Sequence, residues 1–210
     1  MEIGALAPYE QALRTAGPLG LWTEDGRVLS LDVARWLGPA DGSDETVLER
    51  CIGPVLDVGC GPGRLVSSLN ARGVAALGVD IAETAVDLTR GQGMPALLRS
   101  VFGDLPGEGR WPTVLLIDGN IGIGGDPLRL LDRIGGLLAP AGRLIVESHP
   151  HFDADDLLEV RFTEDGVAVG PPFDWANVGL VALERYARRT GYTIVESWTS
   201  GGRSFVALTR

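Results

Sequence analysis

The stretch that most restricts how this chain can fold is residues 55–65, VLDVGCGPGRL. A short apolar run, Val55-Leu56, carries an acid at Asp57 and then breaks into glycines at Gly59, Gly61 and Gly63. The helix-compatible LVSSLNARG follows, so the whole reads as a buried strand, a tight turn and a helix start. Glycine at every second position permits positive φ and leaves no Cβ in the way. A ligand can then lie directly against the main chain at a helix N-terminus, which makes the turn a cradle of the nucleotide type.

From Pro54 onward strands and helices alternate, the signature of a parallel sheet covered on both faces. Strands are expected at residues 55–58, 75–79, 96–101, 113–117 and 143–147, with helices at 63–72, 82–90 and 127–138. Residues 158–169 alternate around Glu164-Asp165-Gly166 and read as a β-hairpin, before a helix at 178–189. TIVESW (193–198) and SFVALT (204–209) are joined by Gly201-Gly202, a connection so short that the two strands must run antiparallel. The expected fold is α/β: a Rossmann-like, mostly parallel seven-stranded sheet with helices on both faces and an antiparallel last strand. Ahead of it, residues 8–17, 31–38 and 43–51 read as helices, the last capped by Ser43. The chain thus divides into an N-terminal helical segment, 1–52, and a main domain, 53–210, with a hairpin insertion near 158–170.

Spacing decides between cradles. A dinucleotide fingerprint, G-x-G-x-x-G, would need glycine where Arg64 stands. The pattern is instead D-x-G-x-G-x-G, which resembles the first motif of the class I S-adenosylmethionine-dependent methyltransferases. The resemblance runs motif by motif from Pro54 to Glu147 and holds for the rest only in layout. It implies S-adenosylmethionine as cofactor, seated on Gly59, Cys60, Gly61 and Gly63. Asp57 would order the glycine turn and reach toward the methionine ammonium. Asp80, seventeen positions after Gly63, matches the acid that accepts from the ribose hydroxyls, and Ile81 would lie on the adenine face. Asp104 and Leu105 in FGDLPG resemble the third motif, which meets the adenine amino group. Asp118, in the glycine-rich LLIDGNIGIGGDP, would border the methionine end, in a loop either mobile or closely approached by ligand. The resemblance also implies an N-terminal lid, for which Tyr9, Trp22 and Trp36 are candidates; the same aromatics could simply staple the segment to the sheet.

Composition narrows the acceptor. With 28 acidic against 18 basic residues the net charge is -10, which disfavours a nucleic-acid partner and favours a small molecule. The stretch after the fourth strand lacks the Asn-Pro-Pro-aromatic signature of amino-methylating nucleic-acid and protein-glutamine enzymes, which agrees. Two cysteines, Cys51 and Cys60, form no disulfide or zinc pattern. MEIGALAPYE lacks the features of a signal peptide and no stretch could span a bilayer, so a soluble, cytoplasmic protein is expected. Methyl transfer is an in-line displacement that needs alignment and, for some acceptors, a base. Asn120 and His149 are the candidates to act on the acceptor. His149 and His151 are the chain's two histidines, just past the strand at 143–147. Glu147, His149 and His151 alternate, but metal ligands usually come from separated segments and no metal site is expected. GPPFDWANVG (170–179) reads as a rigid loop presenting Phe173 and Trp175, either packed or suited to a planar acceptor. Two other readings stand beside methyl transfer: a nicotinamide-dependent oxidoreductase and a non-catalytic S-adenosylmethionine-binding protein.

Overall fold

The computed structural model describes residues 6–164 and 166–210. The chain opens with α1 (Ala7–Thr15), a hairpin of β1 (Leu19–Thr23) and β2 (Val28–Leu31), and two short helices, α2 (Val33–Leu37) and α3 (Gly42–Leu48). Then β3 (Val55–Val58), α4 (Arg64–Ala71), β4 (Ala76–Asp80), α5 (Glu83–Gly91), β5 (Ala96–Leu98) and β6 (Trp111–Leu116) alternate as expected. A 3-10 segment at Asn120–Gly125 leads to α6 (Pro127–Leu137) and β7 (Leu138–Ser148). A long hairpin, β8 (Asp155–Glu164) and β9 (Val167–Val178), precedes α7 (Leu180–Arg189), β10 (Thr193–Ser200) and β11 (Arg203–Thr209). The hairpin turn includes Asp165, which lies outside the described residues.

Seven strands form the main sheet in the order β10-β11-β7-β6-β3-β4-β5. Neighbours from β7 to β5 are parallel, and β11 lies between β7 and β10, antiparallel to both. Both faces are buried because successive side chains alternate. In β6, Val114 and Leu116 enter the core that holds Leu130, Ile134 and Leu183 of α6 and α7. Leu115 enters the opposite core, with Leu65, Val66 and Leu69 of α4 and Val86 of α5. Strand order reverses between β3 and β6, and in open parallel sheets ligands bind outside the carboxyl ends of the strands at such a point. No helix among the described residues is long and apolar enough to cross a membrane.

Three departures from expectation matter for the site. First, the N-terminal segment is not purely helical. Its β1-β2 hairpin joins β8 and β9 in a second, antiparallel sheet ordered β2-β1-β8-β9. Asp25-Gly26, between two apolar runs, is the turn signal that betrays it; Gly26 has φ 82°. Second, GPPFDWANVG is not a loop but the body of β9. Pro171 and Pro172 are tolerated because β9 is an edge strand and they fall where its pairing with β8 shifts register, between Val160↔Phe173 and Phe162↔Val169. Third, α3 is capped by Asp41, whose carboxylate accepts from Ser43 N and Asp44 N, while Asp44 accepts from Asp41 N. Ser43 instead donates its hydroxyl to Ser200 O at 3.0 Å.

Candidate active site

The glycine turn is pinned where β3 ends: Gly59 N and Cys60 N both donate to Val79 O, at 2.8 and 3.1 Å. Gly59, Gly61 and Gly63 all take positive φ (70°, 54° and 87°), so each residue type is dictated by the backbone. Their open sides differ, which corrects the view that all three clear space for a ligand. A Cβ on Gly59 would stand 2.6 Å from the Asn120 amide, and one on Gly63 2.6 Å from the Thr89 hydroxyl. Those two glycines admit neighbouring side chains of this chain. Only at Gly61 is the approach free, with the Tyr9 hydroxyl 3.5 Å from the position of a Cβ. Helix α5 brackets the turn through Thr89 Oγ1 to Gly61 O (3.1 Å) and Gln92 Nε2 to Pro62 O (3.0 Å). The Cys60 thiol is buried and fills the gap left by Gly78.

Asp80 ends β4, only 8% exposed, and its two oxygens accept from Gly61 N and Ala82 N, each at 2.9 Å. It therefore ties the glycine turn to the entry of α5. Burial raises its carboxyl pKa, an effect these backbone donors offset only in part. Asp57 is 2% exposed, and no hydrogen bond reaches its carboxyl group among the described residues. Burial, then the charges of Asp118 and Asp80, push its pKa up to about 8. Ile81 is exposed beside Asp80. FGDLPG divides: Asp104 is exposed, but Leu105 is buried with Trp111 in the main core. Leu105 thus offers no surface to an adenine, a correction to its expected role. The Trp111 indole donates to Pro106 O at 2.9 Å, so this Leu-Pro step anchors the turn ahead of β6.

Asp118 stands just past β6 with φ 58°, one of the non-glycine residues in the left-handed region. Three guanidinium groups converge on it: Arg35 of α2 at 2.8 Å, Arg64 of α4 at 2.6 Å and Arg203 of β11 at 3.1 Å. Arg64 and Arg203 also pair with the fully buried Asp44. Arg203 additionally grips Glu147 at 2.7 Å, and Glu147 accepts from Asp118 N at 2.7 Å. Glu147 is thereby drawn away from the histidines it alternates with. This ion network was not foreseen from sequence, where Arg64 registered only as a missing glycine. The amide of Asn120 donates to Val58 O (2.9 Å) and Gly59 O (3.0 Å), so Asn120 braces the cradle. The neighbouring glycines prove to be seats for β9: a Cβ on Gly122 would lie 2.8 Å from the Trp175 ring.

The second sheet and α1 lie over this edge. Tyr9 stacks on Phe162 (6.4 Å between centroids) and meets Trp36 edge-on (5.9 Å), and Phe162 packs on Phe173 (4.9 Å). Burial, then the charge of Asp80, raises the Tyr9 hydroxyl well above its ordinary pKa. Trp22 alternates with the buried Leu21 and so faces away from this cluster. At the far rim His149 is half-buried, its backbone N donating to Val178 O at 2.8 Å and its Nδ1 accepting from His151 N at 3.2 Å. Burial, then His151, lowers its pKa below 6.5.

A sequence profile described as a methyltransferase domain matches residues 27–197 of the chain. The chain belongs to the class I S-adenosylmethionine-dependent methyltransferases. That membership removes the oxidoreductase reading. No curated protein sequence matches this methyltransferase. Among solved structures it is similar to a methyltransferase from Bacteroides fragilis in complex with S-adenosyl-L-homocysteine. The identity is 21% and the TM-score 0.78, covering 98% of this chain and 94% of that one. It is also similar to 1,6-didemethyltoxoflavin-N1-methyltransferase from Burkholderia thailandensis (20% identity, 74% and 70% covered, TM-score 0.58). A third is an amino pentose methyltransferase from Micromonospora echinaspora (18% identity, 84% and 94% covered, TM-score 0.60). The residues present fit the methyltransferase cofactor, S-adenosylmethionine. The turn is open at Gly61 and bordered by the carboxyl group of Asp80, which suits a molecule that offers hydroxyl donors and carries no phosphate.

Proposed function

We propose that this methyltransferase acts on a small-molecule acceptor, admitted between the carboxyl ends of β6 and β7 and the aromatic inner face of the second sheet. The observation that carries the reading is the cover itself. Tyr9, whose hydroxyl reaches Gly61, stacks on Phe162, and Phe162 in turn packs on Phe173. A covered crevice suits a metabolite better than a polymer. The net charge of -10 supports this by repelling phosphate backbones. Two of the structural relatives carry names of small-molecule methyltransferases.

When bound, S-adenosylmethionine supplies an already activated methyl group, so the chain's own work is to hold, orient and exclude water. Asp80 would exchange the Gly61 amide for the ribose hydroxyls, with Ile81 against the base and Asp104 at its edge. Asp57 would accept from the methionine ammonium. Asn120 keeps Gly59 in place, and His149 at the rim would serve as a base for acceptors that must lose a proton, its Nδ1 first releasing the bond from His151 N. The segment 1–52 together with β8 and β9 would serve as a lid, and free cysteines suit a cytoplasmic setting.

The function is tested by incubating the protein with methyl-labelled S-adenosylmethionine and separated metabolite and macromolecule fractions of a cell extract. Label should enter the metabolite fraction; label confined to nucleic acid or protein would refute the reading. Asp80→Ala should weaken S-adenosylhomocysteine binding by about 1 to 3 kcal/mol in calorimetry. Unchanged affinity would show that the ribose lies elsewhere.

A further inference from the structure

Four strands end the two sheets, and the chain blunts three of them. β5 is only three residues long, and β2 is four residues bracketed by the charges of Arg27 and Asp32. β9 packs on the 3-10 segment, where Gly122 meets Ala176 O. β10 is different. It runs for eight residues, TIVESWTS, with no proline, no cation and a single acid, and among the described residues it pairs on one side only, with β11. A bulge between Ile194 and Glu196 twists its start, which leaves Glu196 to Ser200 as the regular stretch. Such an edge is a template for another strand.

The turn that follows fixes which groups point outward. Gly201 and Gly202 both take positive φ (56° and 80°), as in a two-residue hairpin turn closed by the hydrogen-bonded pair Ser200–Arg203. Counting back from it, Trp198 and Glu196 turn their main-chain groups to β11, and Thr199 and Ser197 turn theirs to the open edge. Thr199 and Ser197 are also exposed. The face toward α3 carries charge. Arg50, just past α3, lies over the Trp198 ring at 4.2 Å and donates to Glu196 Oε1 through Nε and Nη2, at 2.9 and 2.6 Å. Both donors take the same oxygen, so Glu196 Oε2 accepts nothing among the described residues, and the side chain is 41% exposed.

We propose that β10 joins two copies of this chain edge to edge, antiparallel about a two-fold axis at Ser197, so that their main sheets run on as one. Ser197 then pairs with the partner's Ser197 through the outward main-chain groups of both. Glu196 falls opposite the partner's Trp198 and beside the partner's Arg50 that covers it, which gives Oε2 a cation; the symmetry repeats the contact. A parallel, in-register copy would set Glu196 against Glu196, and a foreign strand without a cation would leave Oε2 unmet. An edge join buries little area, so association falls in the micromolar range rather than tighter. The join lies four strands from β3 and leaves the glycine turn uncovered.

The test is sedimentation of the full chain from micromolar to sub-millimolar concentration. The parent should pass from monomer to dimer as concentration rises. Ser197→Lys and Ser197→Asp each set like charges against one another at the axis and should weaken self-association about tenfold or more. Mixed in equal amounts, the two variants should form a dimer again, because the introduced charges are then opposite in sign. A parent that stays monomeric overturns the proposal. So does a dimer that both variants leave intact, which would place the interface elsewhere. Two monomeric variants that do not recombine would show that β10 meets some other surface, and would overturn the two-fold pairing. Unaltered urea midpoints and S-adenosylhomocysteine affinities in both variants establish that the join alone has been lost.

Discussion

Replacing Asp57 with asparagine should stabilise the protein at neutral pH while weakening its grip on the cofactor. Asp57 is an acid in an apolar strand, and burial, then Asp118 and Asp80, raise its pKa from 3.8 to about 8. The folded pKa lies above the unfolded one, so the fold favours the protonated acid. That contribution is complete below about pH 4 and is lost as pH climbs toward 8. Four units at 1.36 kcal/mol each, less the incomplete titration at either limit, amount to about 4 to 5 kcal/mol across this window. Asparagine cannot ionise, so the stability difference, Asp57→Asn minus parent, should grow by about that amount between pH 4 and pH 8. Any cost of the amide itself does not depend on pH and drops out of the slope. Urea unfolding followed by circular dichroism at several pH values measures it. A difference that stays flat with pH would show that Asp57 is solvated or paired and would refute the reasoning from its burial.

Other substitutions separate the parts of the site. Asp44→Ala removes one buried partner from Arg64 and Arg203, which keep Asp118 and Glu147, and should cost about 1.5 to 3 kcal/mol in chemical denaturation. Gly63→Ala combines left-handed backbone with a clash against Thr89 and should cost about 2 to 3 kcal/mol. Gly61→Ala should cost only about 1 kcal/mol of stability yet lose cofactor affinity, because its open side faces the ligand space. Equal effects of the two alanines on binding would refute that distinction. For acceptors that must lose a proton, kcat/KM should fall below about pH 6.5 as His149 protonates. His149→Asn should abolish that limb, and a profile that keeps it excludes His149 as the base.

The parallel sheet and its reversed last strand were legible because each rests on local chemistry: apolar runs at strand length, and a Gly201-Gly202 turn too short for a crossover. The glycine turn was legible for the same reason, since positive φ at three alternate positions is a local demand. The β1-β2 hairpin carried a readable signal in Asp25-Gly26, but its strands are stable only through pairing with β8, more than a hundred residues away. The Pro-Pro step of β9 suits a loop by local chemistry, and only its edge position with a register shift makes it a strand.

By itself the sequence determined the class of fold, the cradle and the acids at its rim, because glycine conformational freedom and strand alternation act between neighbours in the chain. Tertiary structure alone decided which glycines admit side chains and which admit a ligand. It also decided that Leu105 belongs to the core, and that Arg35, Arg64 and Arg203 meet on Asp118. Coulomb attraction and packing depend on distance in space, and residues 35, 64, 118 and 203 share no spacing from which that meeting could be read.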